Sequence, residues 1–313
     1  MSATPTLSLV MPCLNEGSHL AHSLSTLHEV LDRLGLEYEL VLIDDGSSDD
    51  TWEVLRRAVA ARPNVRAFRL SRRFGKELAL AAGLEHARGA AVLVMDADLQ
   101  HPPSLIPEMV RAWREERYDV VEAVKKKRGT EPLVTRLGAR CFYPLFRRLS
   151  GFDLEGASDF KLIDRRVLEA WARMGERNVF FRGMSAWLGF RRKAIPFEVA
   201  PRVGGISGWS PWRLLRLAVT GVTAFSSAPI HVITVMGCLF LVFAVLLGLH
   251  TLYNKLFGGA ETGFTTVIVL VLMVGSLILI GLGVIGLYVA RIYEEVKGRP
   301  RYVIREQSEP PRG

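Results

Sequence analysis

Ala91-Val92-Leu93-Val94-Met95-Asp96-Ala97-Asp98-Leu99-Gln100-His101-Pro102-Pro103 reads as a short buried strand, an acidic turn and a proline pair that stops further regular structure. Carboxylates at i and i+2 beyond a strand can converge on one side of the chain, where they repel each other unless a cation sits between them. Hard oxygen ligands suit Mg²⁺ or Mn²⁺, and such ions are commonly held by one or two carboxylates together with substrate phosphates. A bare Asp-x-Asp is also an ordinary polar turn, so the meaning of Asp96 and Asp98 depends on their neighbours.

Upstream, apolar strands alternate with amphipathic helices. Thr6 to Met11 predicts a strand, followed by Pro12-Cys13-Leu14-Asn15-Glu16 and a helix from about Ser18 to Leu34 with the stripe Leu20, Leu24, Leu27, Leu31. Glu39 to Ile43 predicts a second strand ending in Asp44-Asp45-Gly46-Ser47-Ser48-Asp49-Asp50-Thr51, where Ser48, Asp49 or Asp50 can cap a helix running through Arg57 to Ala61. Val65 to Leu70 is a third strand and Glu77 to Arg88 a helix. This alternation predicts an α/β domain with a mostly parallel, Rossmann-like sheet, whose ligands bind beyond the carboxyl ends of the strands. Asn15-Glu16, Asp44-Asp45 and Asp96-Ala97-Asp98 all fall at such ends.

Downstream the composition changes. Ile230 to Leu249 and Val267 to Ala290 carry no charged residue, and each is long enough to cross a hydrocarbon layer of about 30 Å as a helix. Buried core helices are the competing reading, but two such runs joined by a short loop predict a membrane hairpin with spans at about 230–250 and 267–290. Arg213 and Arg216 precede the first span; Arg291, Lys297, Arg299, Arg301 and Arg305 follow the second, while the connecting loop has only Lys255 and Glu261. The positive-inside rule then places residues 1–210 on the cytoplasmic side as the soluble domain. Residues 211–228, with Trp209 and Trp212 near their start, predict an interfacial amphipathic helix, and 132–150 either a second one or an ordinary domain helix. Residues 292–313 form a cytoplasmic tail, expected to be disordered from Glu306 to Gly313. Met1-Ser2-Ala3-Thr4-Pro5 shows no cleavable signal.

The net charge of +8 comes without zinc ligands or an RNA-binding aromatic motif, which points to anionic lipid headgroups or a lipid phosphate and away from nucleic acid. Cys13, Cys141 and Cys238 lack metal-ligand spacing and read as free thiols. Gly281-Leu282-Gly283-Val284-Ile285-Gly286 matches a dinucleotide-binding string, but inside a continuous apolar segment its glycines suit close helix packing instead. The same glycines leave a homo-oligomer open.

Taken in order, Pro12-Cys13-Leu14-Asn15-Glu16, Asp44-Asp45-Gly46-Ser47-Ser48-Asp49, Phe74-Gly75-Lys76, Asp96-Ala97-Asp98-Leu99-Gln100-His101-Pro102-Pro103 and Ser158-Asp159-Phe160-Lys161-Leu162 resemble the motifs of family 2 glycosyltransferases. More narrowly, they resemble the polyprenyl-phosphate glycosyltransferases, the group with dolichol-phosphate mannose synthases and bacterial GtrB-type enzymes. The resemblance implies a GT-A fold in which Pro12, Asn15, Glu16, Asp44 and Asp45 hold the nucleotide, with Lys76 and Asp96 close to the donor. It implies that Asp96, Asp98 and Gln100 hold Mg²⁺ or Mn²⁺ against the diphosphate, and that Asp159 orients or deprotonates the acceptor phosphate. Asp98 and Asp159 are the implied catalytic pair. Arg182, in Phe181-Arg182-Gly183, and Arg202, in Arg202-Val203-Gly204-Gly205-Ile206-Ser207-Gly208-Trp209, are candidate phosphate grips because a guanidinium pairs two oxygens at once. Many relatives carry a lysine near this last motif, where Ile206 and Gly208 supply no charge.

The implied reaction is inverting transfer of one sugar from a nucleotide-sugar, UDP-linked in preference to GDP-linked, to polyprenyl phosphate, with undecaprenyl phosphate the acceptor in a bacterium. A processive polysaccharide synthase is the nearest alternative, although no Gln-x-x-Arg-Trp motif is present. A catalytically inactive scaffold that binds nucleotide-sugar is the other.

Overall fold

The computed structural model describes residues 5–125, 148, 158–176, 180–197, 228–257 and 263–310. These fall into two compact units, Met1–Ser210 with Pro300–Gly313, and Pro211–Arg299. The helix expected at 132–150 (of which only Arg148 is described), the interfacial helix expected at 211–228 (of which only Ala228 is described) and Arg202 lie outside the described residues.

In the first unit, β1 (Leu7–Cys13), β2 (Tyr38–Asp44), β3 (Val65–Leu70) and β4 (Ala91–Val94) alternate with α1 (Gly17–Arg33), α2 (Thr51–Ala61) and α3 (Lys76–His86). A single 3₁₀ turn (Pro103–Leu105) and α4 (Ile106–Arg114) lead to β5 (Val120–Lys125); β6 (Lys161–Asp164), α5 (Arg165–Met174), α6 (Phe181–Trp187) and β7 (Arg192–Phe197) follow. The sheet has the order β7-β5-β6-β4-β1-β2-β3-β8, where β8 is Ile304–Ser308. Strands β1 to β5 and β7 run one way, and β6 and β8 run against them. The mostly parallel sheet is thus present, with β6 inserted antiparallel and β8 added antiparallel at one edge.

Side-chain alternation explains both covered faces. Leu7, Leu9 and Met11 join Leu40, Leu42, Ala91 and Leu93 in one core with the α1 stripe Leu20, Leu24, Leu27 and Leu31 and with Trp52 and Leu55 of α2. The opposite face takes α3: a Cβ on Gly83 would stand 2.3 Å from Val10 Cγ1 and 3.3 Å from Ile43 Cγ1, so only glycine admits this approach.

The expectation of a disordered tail from Glu306 fails. β8 adds to the outer edge of β3, with Arg69 opposite Glu306 and a bulge between Arg69 and Leu70. Polar residues dominate Ile304-Arg305-Glu306-Gln307-Ser308, so the segment has no apolar signature; edge pairing and ion pairs hold it in place. Of the three candidate caps of α2, Asp49 serves: one residue before the formal cap position, it accepts from the Thr51 amide at 3.1 Å and the Thr51 hydroxyl at 2.6 Å, while Asp50 makes no side-chain cap bond.

In the second unit, α7 (Ala228–Phe257) and α8 (Phe264–Val296) are longer than the predicted spans. Both are long and apolar enough to cross a membrane, over Ile230–Asn254 and Val269–Val296. Of the glycines in the 281–286 string, Gly281 alone lies against the other helix: a Cβ there would meet Ile233 Cγ2 at 3.3 Å.

Candidate active site

Register brings the polar motifs to one edge. Cys13 pairs with Asp44 at the carboxyl ends of β1 and β2, so Asn15 and Asp45 emerge together. Val94 pairs with Lys161 across the antiparallel β4 and β6, so Asp96, two residues beyond Val94, and Asp159, two residues before Lys161, leave the sheet at the same end. His101 stacks on Phe160 with ring centroids 5.2 Å apart, which packs the acidic turn against the segment carrying Asp159.

The first two motifs interlock. Asn15, at φ 55°, donates its amide to Ser47 Oγ at 3.0 Å, and its Oδ1 accepts from the Ser48 amide at 2.9 Å. The Glu16 amide donates to Thr51 Oγ1 and the Gly17 amide to Asp49 Oδ2. Asp44 is fully buried, its Oδ1 accepting from the Ser47 amide at 2.8 Å and its Oδ2 lying 3.2 Å from Arg69 Nε. Asp45 accepts from the amides of Phe74 at 2.7 Å and Gly75 at 2.9 Å, fastening the loop that precedes Lys76. Burial raises the Asp45 carboxyl pKa, against those bonds. Pro12 sits in β1 opposite Ile43. These contacts make the loop a preformed rim whose shape Asp45 and Asn15 set.

A chain of alternating charge occupies the centre. Lys76 Nζ stands 2.6 Å from Asp96 Oδ1 and 2.7 Å from Asp159 Oδ2. Arg182, on α6, donates Nε to Asp159 Oδ1 and Nη2 to Asp159 Oδ2. Burial works to raise the Asp159 pKa, but the Lys76 and Arg182 charges overcome it and hold that carboxyl well below the usual carboxylate range. The two cations answer in kind: burial works to lower both, and the Asp96 and Asp159 charges raise Lys76, as chiefly Asp159 raises Arg182.

Asp96 and Asp98 supply hard oxygen donors. Leu99 between Asp98 and Gln100 takes φ 53°, the Ala97 carbonyl is pinned by Ser23 Oγ at 2.8 Å, and Asp98 Oδ1 accepts the Gln100 amide at 3.1 Å. The buried side-chain nitrogen of Gln100 has no hydrogen-bond partner among the described residues, so its amide is not committed. Burial raises the pKa of Glu16, and the charges of Asp98 and Asp96 add to it while His19 opposes, which marks a shared negative field at this edge. The donor set fits Mg²⁺ or Mn²⁺ held by two carboxylates and completed by substrate oxygens. No group of three or more His, Cys, Asp or Glu poised for a metal occurs among the described residues.

Three further groups escape sequence reading. Glu77 accepts the Phe181 amide at 2.8 Å, tying the start of α6 to the start of α3. Lys161 is fully buried with Glu122 Oε2 at 3.0 Å and Ser185 Oγ at 2.8 Å. Arg69 closes the strand-end set. Of these, Arg69 had a usable signal, a charged side chain at the carboxyl end of a third parallel strand.

Residues 8–171 match Glycosyl transferase family 2. The SfII prophage-derived bactoprenol glucosyl transferase of Shigella flexneri is 37% identical over 302 residues, covering 96% of this chain and 97% of its own. The prophage bactoprenol glucosyl transferase homolog of Escherichia coli K12 is 35% identical over 301 residues, covering 96% and 98%. Among solved structures, glucosyl-3-phosphoglycerate synthase of Mycobacterium tuberculosis with Mn²⁺, UDP-glucose and glycerol 3-phosphate aligns over 71% of this chain and 78% of its own, at 22% identity and a TM-score of 0.46. With a family match that runs from β1 through the acidic turn into α5, over more than half of the chain, and full-length relatives above 30% identity, the chain belongs to glycosyl transferase family 2.

Proposed function

We propose that this enzyme transfers one sugar from a nucleotide-sugar, UDP-linked in preference to GDP-linked, to a polyprenyl phosphate at the cytoplasmic face of a membrane. The observation that carries the reading is the chain Asp96–Lys76–Asp159–Arg182 at the carboxyl edge of the sheet. It sets two cations around one buried carboxylate beside an acidic turn, a site suited to two phosphate-bearing substrates. The names of the Shigella and Escherichia relatives support the lipid acceptor, and α7 and α8 supply the apolar segments such an acceptor needs.

In this reading Pro12, Asn15, Glu16, Asp44 and Asp45 receive the nucleotide. Asp96 and Asp98, with Gln100, hold Mg²⁺ or Mn²⁺, which when bound supplies positive charge against the departing diphosphate. An acceptor phosphate oxygen attacks the anomeric carbon, and the carbon–oxygen bond to the diphosphate breaks with its electron pair leaving on the diphosphate; configuration inverts. A phosphate monoester with a second pKa of about 6 is already largely dianionic near neutral pH. Asp159, kept ionised by two cations, is therefore a positioning anchor for Lys76 and Arg182 and not a base. Arg182 and Arg202 steer phosphate oxygens. The soluble domain is residues 1–210 completed by the returning strand Ile304–Ser308, with an interfacial helix proposed at 211–228 and a hairpin at 229–291.

The test supplies purified full-length protein with labelled UDP- and GDP-sugars, Mg²⁺ or Mn²⁺, and polyprenyl phosphate. A labelled lipid from a UDP-sugar is expected. Nucleotide binding without lipid product for any donor would support the scaffold instead, and polymeric product would support the processive synthase.

A further inference from the structure

We propose that Arg69 and Glu306 position the Asp44 carboxylate, so that the strand following the second apolar helix sets the affinity of the site for the nucleotide. The inference rests on the reading of Asp44 as a nucleotide contact.

Asp44 is fully buried, and a buried carboxylate must have its charge and lone pairs matched. The Ser47 amide donates to Oδ1, while Oδ2 lies 3.2 Å from Arg69 Nε as an ion pair and accepts no hydrogen bond among the described residues. A carboxylate accepts about four hydrogen bonds, so Oδ2 in particular keeps accepting capacity that the fold leaves unused. Where that capacity points depends on Arg69. Arg69 also donates Nη2 to the Ser47 carbonyl at 3.2 Å, so it grips both ends of Asp44-Asp45-Gly46-Ser47. Gly46 in that turn has φ 71°, and a Cβ there would stand 2.6 Å from the Arg72 carbonyl carbon. The turn is therefore wedged against the chain just beyond β3.

Arg69 is in turn held from outside. Its Nη1 lies 3.5 Å from Glu306 Oε1, and the other Glu306 oxygen accepts Trp52 Nε1 at 3.1 Å. The guanidinium carbon stands 5.8 Å from the Trp52 ring centroid. Arg69 and Glu306 are directly opposed across β3 and β8, and the bulge falls immediately after Arg69. Bulges beside active sites re-aim a side chain, and pairing resumes beyond this one with the Ser71 amide donating to the Val303 carbonyl at 2.8 Å. Glu306 remains part-exposed, so its pair with Arg69 contributes little stability. Its effect is directional. It fixes one orientation of a guanidinium whose Nε lies against Asp44.

The tail offers an internal control. Glu309 pairs with Arg66 at 3.2 Å near the opposite end of β3, where Arg66 stands opposite Val41 and not Asp44. The experiment titrates full-length protein in detergent with UDP and with GDP, in the presence of Mn²⁺, alongside thermal melting. Glu306→Gln and Arg69→Lys are expected to weaken nucleotide binding about three- to tenfold, and the double variant to weaken it by less than the product of the two factors. Glu309→Gln is expected to stay within about twofold of the unaltered protein. Should Arg69→Lys fail to fold, Glu306→Gln against Glu309→Gln decides alone. Equal weakening by those two would reduce the tail to a structural brace and overturn the proposal, as would unaltered binding by Glu306→Gln when Asp44→Asn binds weakly. If Asp44→Asn itself binds nucleotide normally, the underlying reading of Asp44 fails, and the proposal falls with it.

Discussion

Arg182 holds both oxygens of Asp159, with Nε 2.6 Å from Oδ1 and Nη2 2.9 Å from Oδ2. A two-pronged grip fixes the guanidinium plane as well as its distance, which a lysine cannot do. Arg182→Lys should therefore lower lipid glycosylation about ten- to hundredfold with nucleotide binding retained. Initial rates with saturating donor, beside a circular dichroism spectrum, check this. A rate near the unaltered value would mean that positive charge alone suffices.

The pH dependence separates anchor from base. The Asp159 pKa is depressed in the folded protein, so its contribution to stability is full above the ordinary carboxylate value and is lost only as pH falls through the lower, folded value. Between pH 5 and 8 it stays ionised. Asp159→Asn should then lower kcat/KM by the same factor at pH 6 and at pH 8. A loss that grew tenfold across that interval would restore a proton-accepting role.

Glu77 behaves in the opposite sense. Burial, then the Asp159 charge, pushes its carboxyl from an ordinary 4.5 up to about 7, against the Phe181 amide bond. The folded chain keeps a proton in that window that the unfolded chain has lost, so stability falls as pH rises from 4.5 towards 7. Glutamine is neutral throughout and can still accept the Phe181 amide. Glu77→Gln should melt with the unaltered protein at pH 4 and above it at pH 8, read by thermal denaturation at both.

Asp98→Ala should abolish transfer, by about a hundredfold or more, if the acidic turn holds the ion that assists the diphosphate. Electron paramagnetic resonance of Mn²⁺ titrated with UDP supplies a readout free of turnover: the variant should lose bound Mn²⁺. Transfer at the unaltered rate would remove Asp98 from the metal site.

Lys161 and Glu122 are a buried pair, and removing one partner strands the other. Lys161→Met should destabilise the first unit by about 3–5 kcal/mol, and adding Glu122→Leu should recover much of that loss. Urea unfolding of the single and double variants measures both. A single variant as stable as the parent would show that Arg192, 3.8 Å from Glu122, already supplies the needed charge.

The ends of β1, β2 and β4 were legible because each carries acids after an apolar run, and β3 follows from the alternation of apolar strands with helices. The charge chain was legible only as separate motifs: nothing in the spacing of Asp96 and Asp159 reveals that β6 runs against β4 and returns Asp159 to the same edge. Lys161 reads as an ordinary surface charge in Phe160-Lys161-Leu162, and its burial becomes explicable only beside Glu122 of a neighbouring strand. β8 was invisible for a different reason. An edge strand held by Glu306, Glu309 and backbone bonds needs no apolar periodicity, so its sequence looks like a solvated tail.

That last strand also imposes a timetable. Chains emerge from the ribosome amino-terminus first, and domains fold as their parts appear. β3 is made early, yet its partner β8 is made only after both long apolar helices. Until then the outer edge of β3 presents unpaired amides and carbonyls, a surface prone to wrong pairing. Ribosomes that stall between residues 257 and 304 would leave nascent chains with the outer edge of β3 unpaired, so chaperone demand should peak during synthesis of the two long apolar helices.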